Sequence, residues 1–316
     1  MCVRRLSFAF LSPLLVTFVH STASAQTLIT TSSSVRLRAA AAADARVVAE
    51  LPLGTEVSAC GAVTNGWREV ETAAGIRGWI HGGLVEDLAP PSRVDTIERL
   101  IRKRLSRKAD PPAARLELAA LVERVMSEAA TPQQKARMEL ARLRAVGGVI
   151  EALPVGARPG EPFDAWIDAH QALIEYHHVT GRYILRTDAV LKAHARHERS
   201  AATVAEELMW LAVTNGFAGE CEGILRCYIG RTDATEGDYL RAYPEGRHVD
   251  AVIRRLQDRA NWWLSRMTPV YGFEAALQCG ELSPMIENLK FAVATASHPD
   301  RNGTIARLDE VARRCR

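Results

Sequence analysis

The sequence predicts two domains of different fold class, a small all-β barrel followed by an all-α domain. Residues 27–88 hold short apolar runs of about five residues, the usual strand length, separated by glycine turns. The segment Ala89-Pro90-Pro91-Ser92 then interrupts the pattern, which predicts a linker over residues 89–93. From residue 94 to residue 316 the apolar side chains recur every three or four positions, as they do along helices.

The N-terminus has the three parts of a secretory signal peptide, predicted over residues 1–25. Arg4 and Arg5 precede an apolar run, and Ala23-Ser24-Ala25 provides the small residues of a cleavage site. The apolar run is shorter than the ~20 residues of a membrane-spanning helix. We therefore expect an exported chain with no membrane insertion.

The barrel elements follow from alternation and turn residues. In Val35-Arg36-Leu37-Arg38 the apolar and cationic side chains take opposite faces of a strand, so Val35 and Leu37 are expected inside and Arg36 and Arg38 outside. Gly54, Asn65-Gly66 and Gly75 lie where the chain must turn, because glycine adopts a positive φ without steric cost.

Four barrel segments in order resemble the bacterial SH3 family, small barrels attached to many exported cell-wall proteins. They are Val35–Arg38, Leu51–Val57, Gly66–Val70 and Gly78–His81. The resemblance covers about a fifth of the chain, and it departs from the family where Ala39 to Ala43 replace the usual Gly or Pro with Ser. It implies a domain that recognises a cell-wall peptide or an envelope protein, in a bacterial periplasm.

Four barrel residues are candidate ligand contacts. Trp67 and Trp79 lie in two strand patterns and could line a peptide groove, or they could build the barrel core. Arg36 and Arg38 could bind the carboxylates of a wall peptide, or they could form a solvated strand face.

The helical domain begins with an apolar face formed by Val94, Ile97, Leu100, Ile101 and Leu105. Asp110-Pro111 and Thr131-Pro132 predict the next two helix starts, each a cap followed by proline. Further helical patterns cover 163–177, 189–197, 201–213, 249–267, 284–296 and 304–314, and Arg182–Leu185 is the one strand candidate beyond the barrel.

A weak internal repeat relates Val190–His194 to Tyr239–Tyr243 at an offset of 49 residues. The segment Tyr239–Gly246, followed by a helix, resembles helix-turn-helix repeats of the tetratricopeptide type. Such pairs would bury their apolar faces against one another. An irregular helical bundle is the alternative.

The cysteines agree with export to an oxidising compartment. We expect disulfides between Cys221 and Cys227 and between Cys279 and Cys315, and we expect Cys60 to be a core residue without a partner. No metal site is predicted, because His194 and His197 share a helix face without a carboxylate at fixed spacing.

The composition excludes several classes of function. Removal of the signal peptide leaves 38 basic and 37 acidic residues, which argues against nucleic acid as a partner. The sequence has no phosphate loop, dinucleotide fingerprint or nucleophile motif, and no cofactor is expected. We expect a non-enzymatic binding protein or scaffold. The alternatives are a cell-wall hydrolase with an unrecognised site in the helical domain and a purely structural module; the oligomeric state stays open.

Overall fold

The computed structural model describes residues 26–88, 93–107, 110–215, 221, 224–267 and 279–314. The predicted signal peptide and the residues Ala89–Ser92 of the predicted linker lie outside these residues. The chain divides into two compact units, residues 1–130 and 131–316, which are described separately below. The prediction of an antiparallel β-domain followed by helices is confirmed.

The first unit begins with a β-domain of seven antiparallel strands in the order β3-β2-β6-β5-β4-β1-β7. The strands are β1 (Thr27–Thr30), β2 (Val35–Arg38), β3 (Val47–Leu51), β4 (Glu56–Thr64), β5 (Trp67–Thr72), β6 (Arg77–His81) and β7 (Val85–Asp87). A 3-10 turn, Gly82–Leu84, connects the last two. Its core contains Leu28, Val35, Leu37, Leu51, Val57, Val70 and Ile80.

The alternation in β2 orients its side chains as predicted. Val35 and Leu37 are 2% and 0% exposed, whereas Arg36 between them faces solvent. Gly54, Gly66 and Gly75 have φ values of 74°, 79° and 76°, a conformation that glycine adopts without steric cost.

Two helices belong to the same unit as the β-domain, α1 (Arg93–Leu105) and α2 (Pro112–Met126). The backbone N–H of Leu53 donates to a carboxylate oxygen of Glu117 in α2 at 2.9 Å, and Leu53 itself is 1% exposed. Arg93 of α1 forms ion pairs with Glu56 at 2.6 Å and with Glu128 at 2.7 Å. The unit therefore extends past the predicted linker, and the division falls between Ala130 and Thr131.

The two predicted helix caps have different outcomes. Thr131 caps α3 (Pro132–Ala152) and forms a reciprocal capping box with Gln134, as expected for a threonine before a helix-starting proline. Asp110 does not cap α2, because the cap position is Pro111 and no side-chain bond is made there. Asp110 instead pairs with the buried Arg104 at 2.9 Å, which offsets the burial of that cation.

The second unit contains helices α3, α4 (Phe163–His170), α5 (Thr187–His197), α6 (Ala202–Thr214), α7 (Leu225–Thr232), α8 (Asp238–Ala242), α9 (Val249–Arg266), α10 (Cys279–Thr295) and α11 (Arg301–Arg314). A π-helical segment, Asp233–Gly237, joins α7 to α8. Consecutive helices form pairs α5/α6, α8/α9 and α10/α11 around a core that includes Tyr239, Leu256 and Trp263. Trp263 is 1% exposed, and the adjacent Trp262 contacts Tyr228 of α7.

A hairpin interrupts the helices. It consists of β8 (Ile174–His177) and β9 (Arg182–Leu185), with Tyr176 directly opposite Tyr183. The strand prediction for Arg182–Leu185 is confirmed. The helical prediction for 163–177 is wrong after His170, because the last four residues pair with β9.

Candidate functional site

The candidate site is the outer face of three neighbouring strands, β2, β6 and β5. Arg38 of β2 lies opposite Trp79 of β6, and on its other side Trp79 lies opposite Glu69 of β5. Trp67 lies opposite His81. Residues directly opposite in an antiparallel pair project from the same face of the sheet. We call the surface formed by Arg36, Arg38, Trp67, Trp79, Glu69 and His81 the Trp–Arg face.

This face is opposite to the core of the β-domain. Leu37, Val70 and Ile80 alternate with the residues of the Trp–Arg face along their strands, and each is 0% exposed. Side chains alternate between faces along a strand. The two tryptophans therefore project away from the buried cluster, and each is partly buried at the surface.

The aromatic part of the face is held by a ring contact. The rings of Trp67 and His81 meet edge to face, with centroids 5.5 Å apart. Nδ1 of His81 accepts a hydrogen bond of 3.3 Å from the N–H of Gly83, at the start of the turn after β6. The Trp67 ring therefore packs against His81, whose orientation is fixed by a hydrogen bond from the backbone.

The side chains of Arg38 and Arg36 differ in how firmly they are held by neighbouring groups. Arg38 donates from Nη1 to the carbonyl oxygen of Ala45 at 2.7 Å, which ties it to the loop between β2 and β3. Arg36 is 60% exposed in its side chain and pairs with Glu50 at 3.6 Å. An exposed pair of this kind contributes about 0–1 kcal/mol, so Arg36 can exchange Glu50 for a carboxylate of a ligand.

Helices α1 and α2 contact other parts of the β-domain. Hydrogen bonds and ion pairs from these two helices reach Leu53, Glu56 and Glu86. Glu56 and Glu86 lie on β4 and β7, which follow β5 in the strand order, and Leu53 lies in the turn before β4. These contacts involve no residue of the Trp–Arg face.

The second unit has a pocket of about 510 Å³ between α5, α6 and α8, which is open to solvent and is called the cavity below. It is lined by Leu191, His194, Met209, Asp238, Arg241 and Ala242. Nε2 of His194 forms a hydrogen bond of 2.9 Å with the hydroxyl of Tyr243. Burial lowers the pKa of His194 below its ordinary value and raises the pKa of Tyr243 to about 12.

The cavity was not predicted from the sequence. The available signal was the repeat, which places His194 and Tyr243 at equivalent positions. The repeat does not predict a cavity between the two helices, because the space between helices depends on how far apart they pack.

Within the described parts of the chain, no group of three or more His, Cys, Asp or Glu side chains is placed so that it could hold a metal ion. His197, the other histidine of the helix-face pair, binds Glu139 with Nε2 at 2.6 Å.

The cysteine predictions have three outcomes. The disulfide between Cys221 and Cys227 is confirmed, with the two Cα atoms 5.4 Å apart. The prediction of an unpaired Cys60 is wrong, because that residue is disulfide-bonded. Cys221 and Cys227 are six residues apart, so their bond could be predicted from the local sequence. The bond of Cys60 could not, because it depends on which residues the folded chain brings close to it. The pair of Cys279 and Cys315 lies outside the described residues, since the side chain of the first and the whole of the second are not described.

Comparisons with known proteins agree with the geometry of the β-domain. No curated protein matches the chain. Among the described residues, no helix has the length and apolar character needed to cross a membrane. The family model of the bacterial SH3 domain matches residues 33–86, from the turn before β2 into β7. The N-terminal part of this protein is therefore a bacterial SH3 domain, with the Trp–Arg face on its outer surface.

Proposed function

We propose that this protein is an exported, non-enzymatic binding protein of the bacterial envelope, and that its SH3 domain docks on peptidoglycan through the Trp–Arg face. The observation that supports this proposal most directly is the strand register. It places Arg38 opposite Trp79 on the outer surface, with Trp67 on the neighbouring strand. Bacterial SH3 domains commonly bind cell-wall or protein partners.

The chemistry of the face suits an extended peptide with free carboxylates. Indole rings offer broad apolar surface together with an N–H donor, and tryptophan and arginine are the residues most often dominant in small interfaces. A guanidinium binds a carboxylate through two parallel hydrogen bonds. Arg36 is the better candidate for that contact, because its present partner is exposed and distant.

Export is supported by two independent features. The first 25 residues carry the pattern of a signal peptide. The Cys221–Cys227 disulfide is a bond that persists in oxidising compartments such as the periplasm and is rare in the cytosol.

The direct test measures binding of the mature protein to purified peptidoglycan. Trp79→Ala should weaken that binding by about 2 kcal/mol or more, which is roughly 30-fold in Kd. Val63→Ala is the matched control, because Val63 is an exposed apolar residue of β4 outside the Trp–Arg face. Thermal melting of each variant separates lost contacts from an unfolded domain. A folded Trp79→Ala protein that binds like the parent would leave the SH3 domain as a spacer.

A second pair of variants tests the role of charge. Arg36→Gln should weaken binding to wall material with free peptide carboxylates and should not change binding to material whose carboxylates are amidated. Glu50→Gln should leave binding equal or tighter, since it releases Arg36 from its present ion pair. Equal losses on both materials would contradict carboxylate recognition.

A turnover assay on the same material distinguishes the competing class, a wall hydrolase. We expect no release of soluble glycan or peptide fragments by the mature protein. Fragments released by the parent and not by a cavity variant such as His194→Ala would place an active site in the helical unit and overturn the non-enzymatic assignment.

A further inference from the structure

Two of the residues that line the cavity between α5, α6 and α8 have large apolar side chains. They are Leu191 of α5 and Met209 of α6, and Met209 is 2% exposed. Its volume of about 510 Å³ lies within the range of roughly 300–1,000 Å³ that small-molecule sites occupy. A short alkyl chain would therefore replace water against apolar side chains.

Arg241, the one cationic side chain that lines the cavity among the described residues, is already neutralised. Nη1 of Arg241 pairs with Asp233 at 2.9 Å, and Nη2 pairs with Asp238 at 2.6 Å. The same guanidinium also donates to the carbonyl oxygens of Asp233 and Asn288. Two carboxylates against one guanidinium give this group a net charge of −1, and an anionic ligand would compete with both of them for Arg241.

His194 adds no positive charge at neutral pH. Burial is the largest influence on its ring and lowers the pKa, while the carboxylates of Glu198 and Asp238 act in the opposite direction. Those two carboxylates thus create a negative potential at the ring. Tyr243 occupies Nε2 through a neutral hydrogen bond and adds no positive charge at the ring.

We propose that this cavity is a binding site for a primary alkylammonium group, as found at the end of a lysine side chain. The alkyl carbons contact Leu191 and Met209, and the ammonium group lies at the rim beside Asp238 and the neutral ring of His194. The assignment is independent of the proposed role of the SH3 domain, because it uses residues of the second unit alone.

The test compares three probes of equal chain length on the full mature protein. Saturation-transfer NMR should show n-pentylammonium binding with a Kd at least tenfold lower than that of n-pentanoate or n-pentanol at neutral pH. Equal binding of n-pentanol would reduce the site to an apolar cavity, and equal binding of n-pentanoate would contradict the charge argument. Either result overturns the proposal.

Three variants locate the binding. Ala242→Phe places a ring at the cavity and should abolish the n-pentylammonium signal. Ala195→Phe, on an exposed position of α5 outside the lining, is its matched control and should bind like the parent. Asp238→Asn removes one rim charge from a half-exposed position and should weaken n-pentylammonium about tenfold without changing n-pentanol, since a charged hydrogen bond is exchanged for a neutral one. If Ala242→Phe lowers the melting temperature, the result with Asp238→Asn is used to test the site. An unchanged preference of Asp238→Asn for n-pentylammonium over n-pentanol would refute the site.

Discussion

His194 and Tyr243, which are equivalent positions of the 49-residue repeat, bind each other through a hydrogen bond of 2.9 Å between Nε2 and the phenol hydroxyl. Their rings meet edge to face with centroids 5.9 Å apart. Four residues before Tyr243, the buried Tyr239 donates to Glu206 at 2.7 Å and accepts from the N–H of His248 at 3.0 Å. The repeat therefore corresponds to a contact between successive helix pairs, formed where the first helix of each pair ends.

The contribution of this contact to stability can be measured with Tyr243→Phe. Loss of the hydroxyl leaves Nε2 of His194 without that partner, and we expect the free energy of unfolding to fall by about 1 kcal/mol. Tyr183→Phe is the control, because its hydroxyl bonds to the carbonyl of Ala157 at an exposed position where water can replace it. Urea denaturation of both variants gives the comparison. Equal losses would contradict a special role for the His194 contact.

The titration of His194 has a defined direction. Its pKa should lie below the ordinary value of 6.5, because burial disfavours the imidazolium. The unfolded chain then binds the proton more tightly than the folded one, so this group reduces stability as pH falls from about 6.5 to its lower folded pKa. An NMR titration of the ring protons measures the midpoint. A midpoint at or above 6.5 would show that Glu198 and Asp238 outweigh burial.

Two glycines with nearly the same φ test the packing of α2 on the SH3 domain. Ala at Gly75 meets open space, so it should cost only the ~1–2 kcal/mol of a left-handed backbone. Ala at Gly54 carries the same backbone cost and also collides with the side chain of Leu121, and overpacking adds about 1–3 kcal/mol. Thermal or urea unfolding should rank Gly54→Ala clearly below Gly75→Ala. Equal stabilities would mean that α2 shifts without cost.

The Cys221–Cys227 bond should be present in the protein purified under non-reducing conditions. Alkylation before reduction should modify neither sulfur, and peptide mass spectrometry reads this out directly. Replacing both residues by Ser should lower the free energy of unfolding by about 2 kcal/mol, since the bond restricts a short loop in the unfolded chain. Two alkylated sulfurs in the unreduced protein would refute the bond.

The sequence was most informative where structure is decided locally. The alternation of Val35 to Arg38 orients four side chains with no help from distant residues. Thr131 caps its helix through Gln134, three residues away. The strand patterns also placed Trp67 and Trp79 in the SH3 domain. Their position on the Arg38 face depends on the pairing of β2 with β6, and strand register is set by contacts across the chain.

The predictions from sequence were wrong where residues far apart in the chain determine the structure. The segment Ile174–His177 continues a helical pattern, yet β9 gives it a strand partner and buries Ile174 equally well. The grouping of α1 and α2 with the SH3 domain depends on contacts such as Leu53 with Glu117, 64 residues apart. A Pro-rich segment marks a change of secondary structure, and here it does not mark the end of a compact unit.

The contact of α2 with the turn Pro52–Thr55 also affects how this SH3 domain could be exchanged between proteins by recombination. Excision at Leu88 would bring Leu53 into water, leave its N–H without Glu117 and separate Arg93 from Glu56. A transferable fragment instead ends at Ala130 and includes both helices. In evolutionary terms, the heritable module of this protein is larger than residues 33–86, the segment that the family model matches.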